Sequence, residues 1–216
     1  MTTISRDLFL LLTSDAGRSE TSVGRRRPLV AAAVTDLILH RRVELEDGRD
    51  PRVRVVDASA VGDPALDHVL AGLGEMDGRR LSALVGHRRL DPTDLLAEQL
   101  VAAGVLEEHR GLFGARVVPV DGHREEALRA HLAAAVGGEV EPTVEDAAVL
   151  GVLRALDVAH RLLGDHLPGV TRRQLRDRID EISQGVPTLD AVRRSYDAMQ
   201  TALVTAMIVP VVVAGS

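Results

Sequence analysis

The sequence predicts a mainly α fold: one globular helical domain over residues 1–216, with two small β-hairpins. Three observations carry this reading. Apolar residues recur at three- and four-residue spacing through most of the chain. Strand-like alternation is confined to two short stretches, each bent at turn chemistry. No strand–helix–strand pattern repeats, which argues against a Rossmann or barrel architecture.

The elements follow in order. Ser5 is placed to cap a short helix, Arg6–Thr13, that is hydrophobic on most faces and so predicted to be buried. Thr13 to Arg18 reads as a turn, and residues 18–27 as an exposed polar loop ending in Arg25-Arg26-Arg27. Pro28 stands where a first helical turn starts. Leu29, Val30, Ala33, Val34, Leu37 and Ile38 then recur at helical spacing, predicting a helix over Pro28–His40. Val43–Glu46 alternates, Asp47-Gly48-Arg49-Asp50-Pro51 is turn chemistry, and Val53–Val56 completes a first hairpin.

Pro64–Leu73 carries Leu66, Val69, Leu70 and Leu73 on one stripe, and Arg79–Gly86 is a further short helix. A helix opening at Asp91-Pro92-Thr93-Asp94 presents Leu95, Leu96, Gln99, Leu100 and Ala103, and Gly104 ends it. Val105–Val120 is the second hairpin, with Gly at the bend and β-branched residues after it. Helices then follow over His123–Val136, from a Thr143 cap to Leu156, and over Val158–Leu163. Thr171 with Gln174 forms a capping-box pattern for the next helix. Thr188 opens a last one, striped by Leu189, Val192, Tyr196, Met199, Leu203 and Met207.

Composition removes many chemistries. Among 216 residues there is no Cys, no Trp and no Lys, and the aromatics are Phe9, Phe113 and Tyr196. Without Cys there is no disulfide scaffold, thiol nucleophile or Cys-ligated metal. Without Lys there is no Schiff base and no phosphate-loop lysine. All 26 cations are guanidiniums, suited to carboxylate and phosphate forks. Few aromatics and a net charge of −6 argue against nucleic-acid binding.

Motifs for cofactor or catalytic chemistry are absent from the sequence. There is no G-x-G-x-x-G after a strand, no Walker sequence and no G-x-S-x-G. No H-E-x-x-H pairs the histidines, and five of the eight are followed directly by Arg, which repels a dication. The residues thus point to no acid/base pair, no cofactor and no metal.

Membrane spanning is not expected. Met1–Leu12 lacks a cleavage site, and the apolar run Ala202–Ala214 is shorter than the roughly 20 residues a spanning helix needs. It is read as a helix closing the core. What remains chemically distinctive is the set of Arg clusters: 25–27, 41–42, 79–80, 88–89, 172–173 and 193–194. Arg25, Arg26 and Arg27 stand out because they precede a helix N-terminus, where backbone N–H groups also favour anions.

The order of elements resembles the Golgi phosphoprotein 3 family. The matching segments are Asp7–Leu12 with Asp15-Ala16-Gly17-Arg18, then Ala32–Leu39 with His40-Arg41-Arg42-Val43-Glu44-Leu45. Leu96–Leu106 follows, with Leu112-Phe113-Gly114 and Val118-Pro119-Val120. The resemblance spans nearly the whole chain and implies a helical, non-enzymatic module. Eukaryotic members bind phosphatidylinositol 4-phosphate and insert a hydrophobic hairpin into Golgi membranes. That hairpin corresponds here to His109–Val120, with Leu112 and Phe113 as candidate apolar tips.

Departures from the family are specific. The loop before Pro28 has no aromatic residue, the family's helix Arg falls on Val30, and its downstream Arg positions fall on Leu90, Thr93 or Leu95. No lipid-binding residue therefore carries over. Arg25, Arg26 and Arg27, with Arg88 and Arg89, are the candidates to rebuild an anion site from neighbouring positions. The resulting expectation is a cytoplasmic protein, peripheral on the inner face of a membrane, that binds anionic phospholipid headgroups and self-associates through the 109–120 hairpin. The alternative is a soluble interaction or scaffold protein that keeps the fold without the lipid site.

Overall fold

The computed structural model describes residues 3–21, 24–48, 50–111 and 114–185. Helix α2 (Arg26–Leu39) is its axis. From Pro28 to Ile38 every side chain is buried, which suits a segment that is apolar around its whole circumference. Ala31, Ala32 and Ala33 keep the helix slim, so α1 (Ile4–Leu11), α3 (Pro64–Glu75) and α7 (Val144–Ala155) pack against it from different sides. The helix begins two residues earlier than Pro28 predicts. Pro28 stays harmless there because first-turn N–H groups have no helical acceptor to lose.

One polar residue of α2 organises its neighbour. Asp36, 4% exposed, accepts the backbone N–H groups of Ile4 and Ser5 at 2.9 and 3.0 Å. It thus satisfies the start of α1 from another helix. Thr3 is the cap on α1's own chain, accepting from Arg6 N. Ser5, expected as the cap, lies inside the first turn, with its N–H given to Asp36.

The two predicted hairpins are both present. Strand β1 (Val43–Leu45) pairs antiparallel with β2 (Val53–Val55), in register Val43 to Val55. Strand β3 (Leu106–Gly111) pairs antiparallel with β4 (Gly114–Pro119), from Leu106–Pro119 to Gly111–Gly114. Between them run α3, the short α4 (Leu81–Val85), a 3-10 turn (Arg88–Leu90) and α5 (Thr93–Ala102). Asp63 caps α3, accepting from Ala65 N and Leu66 N.

Helices α6 (His123–Gly137), α7, α8 (Ala159–Leu163) and α9 (Arg172–Gly185) complete the described fold. Thr143 and Asp146 close a reciprocal capping box on α7. Thr171 and Gln174 exchange the same bonds at α9, as their spacing predicts. Leu175 and Ile179 turn inward from α9 to join the core. The architecture is mainly α with two small hairpins, as the periodicity predicts. The last helix predicted from Thr188 and the apolar run Ala202–Ala214 lie outside the described residues. Among the described residues no helix is long and apolar enough to cross a membrane.

Candidate functional site

A cleft of about 860 Å³ opens where four parts of the chain meet. The N-terminal end of α2 supplies Arg25 and Arg26. Helix α5 supplies Thr93, Asp94, Ala97, Glu98, Val101 and Ala102. The β3–β4 hairpin supplies Glu108, Arg116 and Val117, and α1 with its following turn supplies Phe9 and Gly17.

Arg25 forms the inner end. Its guanidinium carbon lies 5.2 Å from the Phe9 ring centroid, within cation–π range. Nη1 donates to Thr13 Oγ1 at 3.1 Å and Nη2 to Gly17 O at 2.8 Å. The Thr13 hydroxyl donates onward to Phe9 O at 2.6 Å. A guanidinium carries five N–H donors, so these two bonds leave further donors available to a ligand. Burial pulls the Arg25 pKa below its ordinary value, yet guanidinium stays the charged form at neutral pH.

Arg26 is half-buried at the first position of α2. Its Nε is buried and has no hydrogen-bond partner among the described residues. That atom is closed off from solvent, so Arg26 can engage a ligand in the cleft only through its terminal guanidinium nitrogens. Arg116 is exposed on β4, across the cleft mouth from α2. The first turn of α2 also brings the positive end of the helix dipole to this side of the cleft.

Helix α5 forms the facing wall. Asp94, Ala97, Glu98 and Val101 recur at three- and four-residue spacing, so one helical face looks into the cleft. Asp91 sits below it, with Oδ1 accepting from Thr93 N at 3.1 Å and Thr93 Oγ1 at 2.5 Å. That carboxylate starts the helix and is held in place.

Gly17 locks the cleft to the hairpin. Its φ is +73°, and a Cβ there would run into the Val117 carbonyl. The turn 13–19 can therefore lie against β4 only with glycine at this position. Farther along, Arg161 of α8 is bonded to the Glu20 carboxylate and carbonyl, which anchors the polar segment leading to α2.

The candidate arginines divide. Arg25 and Arg26 line the cleft; Arg27 does not. Arg88 and Arg89 are exposed on the 3-10 turn outside it, where Arg89 Nη1 lies 3.1 Å from Glu75 Oε2. Leu112 and Phe113 lie outside the described residues. Sequence reasoning missed Phe9, Arg116, Asp94 and Glu98. The helical repeat 94, 97, 98, 101 was available as a signal for α5, but that face is polar and only the opposite, apolar face was read.

Among the described residues no group of three His, Asp or Glu is arranged to hold a metal ion. A second hollow of about 500 Å³ beside the start of α6 is lined by Asp15, Asp121, Glu125, Glu126 and Arg129. Burial raises the Glu125 pKa above its usual value, and the carboxylate is engaged by Arg129.

The family model described as Golgi phosphoprotein 3 matches residues 4–199. The chain belongs to the Golgi phosphoprotein 3 family. It has no match among curated proteins. The span matched by this family covers every described element from α1 to α9, and so includes the whole cleft. The loop before Pro28 still contributes no aromatic ring. The ring in this cleft comes from α1, as Phe9, and Arg25 covers it.

Proposed function

We propose that this chain is a non-catalytic peripheral module that takes the phosphate of a phospholipid headgroup into the cleft between α2, α5 and the β3–β4 hairpin. One observation carries the reading: Arg25, Arg26 and Arg116 line a single open cleft at the positive end of α2. Guanidinium forks and helix N-termini are the two protein features best matched to phosphate oxygens. Membership of the Golgi phosphoprotein 3 family supports the same reading. In sequence, Leu112 and Phe113 stand between β3 and β4, an apolar pair suited to enter a bilayer.

Vesicle co-sedimentation of the full chain tests this. The panel is phosphatidylcholine vesicles carrying phosphatidylglycerol, phosphatidylinositol 4-phosphate or phosphatidylethanolamine, at low salt where screening is weak. The wild type pellets with at least one composition, and Arg26→Ala with Arg116→Ala removes that binding. No composition binding the wild type above the double variant overturns the proposal in favour of a protein-interaction role.

A further inference from the structure

The cleft is not an anion trap, because its lining carries both signs. Arg25, Arg26 and Arg116 share the lining with Asp94 and Glu98 of α5, and with Asp91 and Glu108. Even without Glu108, the three guanidiniums are matched by the carboxylates of Asp91, Asp94 and Glu98, which leaves no positive excess. A multiply charged anion gains at the arginines and is repelled by α5.

The opposite charges also stand apart. Asp94 and Glu98 are exposed on adjacent turns, and neither forms an ion pair among the described residues. Arg26 and Arg116 form none there either. In this cleft of about 860 Å³, cations and carboxylates share one lining without a salt bridge between them among the described residues. A ligand that spans them carries a negative group at one end and a positive group at the other.

We infer that the cleft selects a zwitterionic phosphoethanolamine group, a phosphodiester joined to a primary ammonium. The phosphodiester oxygens accept from Arg26 and Arg116 and from the remaining donors of Arg25. The ammonium donates its three N–H bonds to the Asp94 and Glu98 carboxylates. The ethylene link lies over Ala97 and Val101, small apolar side chains between the two walls. A quaternary ammonium is disfavoured, since it needs an open aromatic face and Phe9 is covered by Arg25. A polyol phosphate supplies hydroxyls but leaves the charge of α5 uncompensated. This inference rests on the phosphate-cleft reading and specifies the rest of the ligand.

Glycerophosphoethanolamine and sn-glycerol 3-phosphate, titrated calorimetrically into the full chain, separate the two ideas. Vesicles of phosphatidylcholine with phosphatidylethanolamine or phosphatidylglycerol report the membrane source. The expected result is tighter binding of the ethanolamine compound. Asp94→Asn with Glu98→Gln removes both charge-assisted contacts, lowers it at least about tenfold, and leaves glycerol phosphate unchanged or stronger. Both variants are exposed, so unchanged thermal melting excludes misfolding.

Equal binding of both compounds, or an ethanolamine affinity that the α5 variant does not change, overturns the inference and leaves the phosphate cleft standing. Binding of glycerophosphoethanolamine without vesicle binding supports the chemistry and assigns it to a soluble phosphodiester, against the membrane reading. Binding of no phosphate compound, free or in vesicles, overturns both.

Discussion

Arg25 lies 5.2 Å above the centre of the Phe9 ring, so a cation from α2 and an aromatic ring from α1 close the inner end of the cleft together. Phe9 is fully buried, and Arg25 is its lid. The same guanidinium ties down Thr13 and Gly17. Arg25 therefore shapes the site and holds the α1–α2 turn at once, while Arg26 and Arg116 are free of that structural duty among the described residues.

Arg25→Ala loses two hydrogen bonds and the ring contact, and is expected to cost about 2 kcal/mol of stability. Arg25→Lys recovers less than half, because a single ammonium does not reach Thr13 Oγ1 and Gly17 O while covering the ring. Urea unfolding monitored by circular dichroism gives both values. A loss below about 0.5 kcal/mol, within the range of ordinary surface changes, would show that Arg25 serves the ligand alone.

Gly17→Ala and Gly122→Ala isolate the hairpin contact. Both glycines have left-handed φ, +73° and +68°, but no atom lies within 4 Å of a Cβ added at Gly122. Gly122→Ala is expected to cost about 1 kcal/mol, the backbone strain alone. Gly17→Ala adds the collision with the Val117 carbonyl and is expected to cost about 3 kcal/mol or more. It also displaces β4, and Arg116 with it. Thermal melts of the two variants, compared side by side, check the difference; equal melting temperatures would remove the hairpin contact as a constraint.

The fold was readable because burial follows local pattern. Leu29 to Ile38 form an apolar run interrupted only by Thr35 and Asp36, which makes α2 the fully buried helix, and Thr143 with Asp146 marks the start of α7 within four residues. The site was half-readable for the opposite reason. Arg25 and Arg26 announce themselves by adjacency to a helix start, whereas Phe9 and Arg116 reach the cleft through tertiary packing of α1 and β4. Arg88 and Arg89 show the limit of proximity in sequence. They precede α5 directly, yet the 3-10 turn presents them outside the cleft and Asp91 within it. Asp36 adds to the Thr3 cap by accepting the first-turn N–H groups of Ile4 and Ser5, contacts across 32 and 31 residues that no local pattern encodes.

Asp36 and Asp7 give the fold an unusual acid response. Burial pushes each carboxyl up to about 6, with Asp36 also raising Asp7. The Ser5 and Ile4 N–H bonds, the Ser5 hydroxyl and His40 oppose the rise at Asp36. Arg124 and His131 oppose it at Asp7, while Asp146 adds to it. Because the folded values lie above the unfolded value near 4, the folded state binds more protons between about pH 4 and 6. These groups therefore stabilise as pH falls through that window and lose the contribution as pH rises past 6. Asp36→Asn removes one of them, so the wild type gains stability relative to the variant as pH drops from 7 to 4. Urea midpoints at four pH values measure this; a constant difference would mean that Asp36 does not titrate in the window.

A network of three side chains, Arg6, Asp63 and Gln99, sets where α5 sits. Arg6 Nη2 donates to Asp63 Oδ2 at 2.7 Å and Arg6 Nε to Gln99 Oε1 at 3.0 Å. Gln99 Nε2 donates to Asp63 Oδ1 at 2.9 Å, and that same oxygen accepts the α3 cap bonds from Ala65 N and Leu66 N. One carboxylate thus joins α1, α3 and α5, on the residue next to Glu98. Asp63→Ala strips the cap, worth about 1 kcal/mol, and leaves the half-buried Arg6 and Gln99 without this acceptor, for a total of about 3 kcal/mol. Asp63→Asn keeps an acceptor for the cap and loses the charge, so it falls between. Gln99→Ala combined with Asp63→Ala costs less than the sum of the single losses, because the two share bonds. A double-mutant cycle by urea unfolding reads that coupling directly, and strict additivity would mean that α5 is positioned by its apolar face alone.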